Sequence, residues 1–84
     1  MSQKPHDLAI EFAQDIDVLH RLKAEGGHFA TLAGRYTQVN EEIYKIEAGL
    51  EASSDPRAEE LKKERLSLLD QLSGMVREAK AETA

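Results

Sequence analysis

Between His28 and Leu50 the apolar residues fall at Phe29, Leu32, Tyr36, Val39, Ile43, Ile46 and Leu50, alternately three and four positions apart. No other feature of the chain constrains its fold as tightly. Heptad spacing of this kind keeps one narrow apolar stripe on a single side of a helix. The remaining surface is wet, carrying Gln38, Glu41, Glu42, Lys45 and Glu47. A helix with so narrow a stripe gains burial only by lying against a second helix.

The second helix is predicted downstream. The segment Glu51-Ala-Ser-Ser ends the first run, and Asp55-Pro56 opens another with a carboxylate cap and a ring that presets the helical angle. From about 56 to about 79 a complementary stripe recurs at Ala58, Leu61, Arg65, Leu68, Leu72, Met75 and Ala79. Two helices of similar length joined by a short loop over 51–55 fold into an antiparallel hairpin. Reversal at that loop sets Ile46 near Leu61, Val39 near Leu68, and Phe29 near Met75 or Val76. Arg65 alone interrupts the seam with a permanent charge. Its stem is expected to lie along the seam with its head in water or on an acid such as Glu42, unless it is reserved for a partner.

Upstream, Asp7 is a fitting N-cap, and Leu8, Phe12, Ile16, Leu19 and Leu22 share one helical face. This first helix is predicted over about 7–24, stopping at Gly26-Gly27, where glycine relaxes a left-handed end. The last helix also carries apolar residues the seam does not use: Leu66, Leu69 and Val76. Either the first helix folds back over them through the glycines or a second copy of the chain covers them, and the sequence permits both. The expectation is one all-α domain over 1–84, an antiparallel, coiled-coil-like hairpin preceded by a shorter N-terminal helix. The segments expected to fray lie at the two ends, 1–5 and 81–84.

Read together, His6-Asp7-Leu8, Glu11-Phe12, Leu22-Lys23, His28-Phe29, Tyr36, Ile43 with Ile46-Glu47, Ser54-Asp55, and Leu61-Lys-Lys-Glu-Arg-Leu66 leading to Asp70 resemble the small bacterial YdcH-like family. That resemblance implies a helical hairpin with a preceding helix, and it brings no catalytic or ligand residues. Three positions depart from the family pattern. Ala13 stands where a proline often follows the Glu-Phe pair, which implies an unbroken first helix. Gly26 replaces an acidic or amide cap before His28-Phe29, so the second helix should start loosely. Leu69 replaces the usual lysine before Asp70, which implies stronger self-association.

Chemistry is hard to find in these 84 residues. There is no cysteine, hence no disulfide framework, thiolate ligand or thiol nucleophile. His6, His20 and His28 form no i, i+4 pair of the kind a structural metal site uses. Ser53 and Ser54 have no histidine near them in sequence, and Gly26-Gly27 lacks the longer glycine pattern of a phosphate loop. Carboxylates abound, but on solvated faces beside basic residues rather than in a pocket that shifts a pKa. No cofactor, metal or catalytic residue is therefore expected. The net charge is −5 with acids and bases interleaved, which disfavours nucleic acid and anionic membrane. No run approaches the ~20 apolar residues that span a bilayer, and the first seven residues lack the basic and apolar regions of a secretory signal, so a cytoplasmic protein is expected.

These readings lead to a non-enzymatic helical interaction module that binds a protein partner or itself through an apolar helix face, with Leu66, Leu69, Val76 and Arg65 as partner-binding residues. The alternative is an accessory protein of RNA or ribosomes using Lys62, Lys63 and Arg65, with Arg57 nearby.

Overall fold

The structure, a computed structural model, describes residues 7–50, 52 and 55–83. Four α-helices follow in order: α1 (Leu8–Glu11), α2 (Ile16–Glu25), α3 (Gly27–Glu47) and α4 (Asp55–Thr83), with a 3-10 turn at Ala13–Asp15 between the first two. Among the described residues there is no strand. The long helices α3 and α4 pack against each other, and α2 lies against both. At 1.5 Å per residue α4 is about 43 Å long, close to the 45 Å long axis of the molecule. The expected all-α hairpin with a preceding helical segment is thus the architecture observed.

The seam forms where the heptads place it. Phe29, Tyr36, Val39 and Ile43 of α3 and Leu61, Leu68, Leu72 and Ala79 of α4 are buried, with Ile46, Leu32 and Met75 packed at its edge. Two positions differ from the sequence pattern. Ala33 joins the core, while Leu50 stands 69% exposed. Leu50 leaves the stripe because α3 stops at Glu47 rather than continuing to about 50. Gly49 takes φ 77, its amide donates to the Ile46 carbonyl at 3.1 Å, and the Leu50 amide donates to Lys45 at 2.8 Å. Those two bonds satisfy carbonyls that the helix end would leave open, and they need a left-handed residue at position 49.

The predicted helix over 7–24 is not continuous. Asp7 caps its start as expected, its carboxylate accepting from the Ala9 amide at 2.9 Å. At Phe12 the backbone turns to φ −114, ψ 35, and the 3-10 turn follows. Aspartates at Asp15 and Asp17 weaken helix propensity here. The turn lets Leu8, Phe12 and Leu19 all be buried, and it puts Asp15 against Lys80 at 3.1 Å. That contact also accompanies the longer α4, which runs to Thr83 instead of ending near 79. Ala79 is buried, and Ala81 and Glu82 are good helix formers. The helix thus takes in 81–83, part of the segment expected to fray; positions 1–5 and 84 lie outside the described residues. Asp55 belongs to the first turn of α4, and most of the loop expected over 51–55 also lies outside the described residues.

Residues 8–25 form an arm that returns over the hairpin. The reversal is made by two glycines in succession, Gly26 at φ 76 and Gly27 at φ 68. Of the two coverings the sequence allowed, the fold uses the first: Val76 is buried within a single chain, 3% exposed, beside Phe12 and Asp15 of the arm.

Candidate interaction surface

The hairpin has two flanks, and its polar contacts define them. On one, Arg35 binds Glu64 through two nitrogens, at 2.6 and 2.9 Å, and one heptad on, Glu42 accepts from Arg57 at 3.2 Å. The step is seven residues up α3 and seven down α4, as opposed directions demand. The Arg35 guanidinium holds the Glu64 carboxyl below its ordinary value, and Glu64 in turn raises Arg35. Both groups are well exposed, so this pair guides register more than it adds stability.

On the other flank Arg65 donates to the Asn40 side-chain oxygen at 3.3 Å, and Lys62 approaches Glu47 at 3.8 Å. Asn40 is the buried polar side chain of the described core, 6% exposed. A buried amide costs stability unless its bonds are met, and here the seam's arginine meets one of them. The expected acid partner of Arg65, Glu42, is instead engaged by Arg57 on the opposite flank. Tyr36 is also buried at this place; burial, with Glu11 and Asp7 adding to it against the opposing pull of Arg65, pushes its phenol up to about 12. Carboxylates of the arm therefore lie close enough to feel the same centre as Arg65.

The arm runs along this second flank. Lys23 shares a shallow hollow with Ala30, Ala33, Gly34 and Thr37, and Phe12 and Asp15 share another with Ser73, Val76, Arg77 and Lys80. Its cover decides the fate of the expected partner-binding residues. Val76, expected on the partner face, is instead buried inside the molecule, 3% exposed. Leu69 is half-buried against the core, and Arg65 is half-buried on Asn40. Leu66 alone of the four stands out, 61% exposed. Further toward the loop on the same side of α3, Tyr44 is 42% exposed, and Ile10 of the arm 47%. Ile10 and Tyr44 were missed in the sequence because each lies off a stripe, two positions from Leu8 and one from Ile43. Asn40 was missed because an amide between Val39 and Ile43 reads as surface until its partner is known.

Several basic residues are engaged with acids or amides: Lys62 with Glu47, Arg57 with Glu42, Arg65 with Asn40, Lys80 with Asp15. His28 and Glu78 face a wide groove of about 450 Å³ with Leu32, Gln71, Gly74 and Met75. Among the described residues no group of three or more metal-ligating side chains converges, and no helix is long and apolar enough to cross a membrane.

No curated protein and no solved structure matches the chain. A family described as a protein of unknown function, DUF465, matches residues 29–76, which take in nearly all of α3, the loop and most of α4. The matched segment is the two-helix seam itself, and it covers more than half the chain. The chain thus belongs to the DUF465 family, in which the YdcH-like resemblance of its sequence falls.

Proposed function

We propose that this chain is a non-enzymatic helical interaction module of the cytoplasm, acting through the loop-proximal part of its second flank on a protein partner or on a second copy. The exposed Leu66 carries this reading. It stands beside half-buried Leu69, past the residues covered by the arm. Burying a leucine fully is worth about 1.5–3 kcal/mol relative to leaving it in water, so a partner helix laid on this edge gains from it. The surface is narrower than the sequence suggested, because the arm has taken Val76. Charge adds selectivity: Arg65 and Lys62 border Leu66, and an acidic rim on the partner would complement them.

Leu66→Lys tests the proposal. Light scattering on the purified protein and capture from the native cell should show loss of self-association or of one specific partner, with the helical content and melting temperature unchanged. Identical association by the parent and the variant would defeat it. The RNA reading survives as the alternative on Lys62, Lys63 and Arg65. It predicts retention on RNA at about 50 mM salt that fades as salt rises, and absence of retention there removes it.

A further inference from the structure

We propose that Gly26-Gly27 is a conformational switch, which holds the arm on its own hairpin in one state and, when straightened, delivers it to the hairpin of a second copy. Two independent observations meet at this hinge. The first is conformational. Gly26 sits at φ 76, ψ −145, a region open essentially to glycine alone, and Gly27 at φ 68. Neither would meet any atom within 4 Å if it carried a Cβ, so backbone angle rather than space reserves these positions for glycine. The α3 start also has no side-chain cap, and the turn is closed by a backbone bond from the Gly26 amide to the Lys23 carbonyl at 3.2 Å.

The second is the phase of the apolar residues. Phe12, Ile16, Leu19 and Leu22 follow one another by three or four positions, and Phe29, seven on from Leu22 across the hinge, carries the same phase into Ala33 and Tyr36. The stripe of the arm is thus in register with the stripe of α3 across the hinge. Turns between unrelated helices have no need of such phase. A helix running straight from Ile16 to Glu47 would be about 48 Å long and amphipathic throughout.

Straightening lifts Leu8, Phe12 and Leu19 from their own hairpin and uncovers Val76. A second copy opened in the same way restores each of those contacts reciprocally, Lys80 to Asp15 included. The closed and exchanged forms then differ in the hinge and in the entropy of joining two chains. Glycine makes the closed hinge cheap, whereas alanine penalises the positive φ angles and favours the straight helix. The exchange is self-association through the arm and not through Leu66, so the two readings fail separately.

The chain has no cysteine, which makes introduced thiols unique. Asp15→Cys and Lys80→Cys, placed in separate chains and mixed, become joined by a short bis-maleimide only when an arm lies on another copy's hairpin. With the natural hinge at about 10 µM, little chain-to-chain product is expected, and more at several hundred µM. Gly26→Ala with Gly27→Ala should make that product dominant and strengthen dimerisation by about tenfold or more per residue. Should the double variant fail to fold, Gly27→Ala alone gives the same reading with a smaller shift. Adding Leu66→Lys should leave the cross-link unchanged. Folded alanine variants that stay monomeric, or that dimerise without any 15-to-80 link between chains, would overturn the switch.

Discussion

The seam between α3 and α4 and the contact between arm and hairpin both bury apolar side chains, yet they are secured to very different degrees. The seam is long and bordered by Arg35–Glu64 and Glu42–Arg57 one heptad apart. It carries the Asn40–Arg65 bond along its other flank, and the Gly49 turn closes the end of α3. The arm has Leu8, Phe12 and Leu19 as its buried anchors and Asp15–Lys80 as its ion pair, with no side-chain cap at the start of α2. The difference teaches that the hairpin specifies the fold, and the arm trims how much of its surface is left for other molecules.

Substitutions sort the two contacts by size. Leu72 is 0% exposed in the seam, so Leu72→Ala should cost the most, about 4 kcal/mol in urea unfolding. A loss below about 1 kcal/mol would mean that the seam is not packed as described. Leu19→Ala should cost about 2–3 kcal/mol, and it should do so locally. Hydrogen exchange should show the amides of 16–25 opening while those of 36–43 stay protected; equal loss in both segments would make arm and hairpin one cooperative unit and erase the distinction. Gly34 offers a change of opposite sign. It is an exposed helical position with open space around a Cβ, and Gly34→Ala should stabilise by about 0.5–1 kcal/mol, a contrast to alanine at the hinge.

Titration gives the mildest probe. Tyr36 has a folded pKa of about 12 against an ordinary 10.0. The folded state therefore binds this proton more tightly than the unfolded chain does. Stability should be level below about pH 10 and fall as pH climbs toward 12. Tyr36→Phe should flatten that decline, and an unchanged alkaline limb would show that the phenol is not held in the core. Acid acts on the seam's border instead: Glu64 has a lowered pKa through Arg35, so its small contribution is present above about 4.5 and fades below.

How far the sequence foretold this structure follows from the range of the forces involved. Heptads at Phe29, Tyr36, Val39 and Ile43 and at Leu61, Leu68 and Leu72 report a periodic contact between long helices, and period is legible without coordinates. Asp7 as a cap is equally local. The break at Phe12 was not legible, since Leu8, Phe12, Ile16 and Leu19 keep helical spacing while the turn between them is set by the hairpin they land on. Gly49 carried a local signal, a glycine just beyond a basic last turn, that the long stripe to Leu50 obscured. Of the candidate site, Leu66 was legible as surplus apolar surface. Val76 was misassigned because its exposure depends on the arm, a choice between two coverings that a single chain's pattern does not encode.

The most direct test of the hairpin uses a distance. Spin labels at Arg35→Cys and Glu64→Cys, in protein diluted with unlabelled chains, should lie under about 20 Å apart, since these side chains touch across the seam. A single uninterrupted helix would hold them about 43 Å apart at 1.5 Å per residue, and a distribution centred there would contradict the fold.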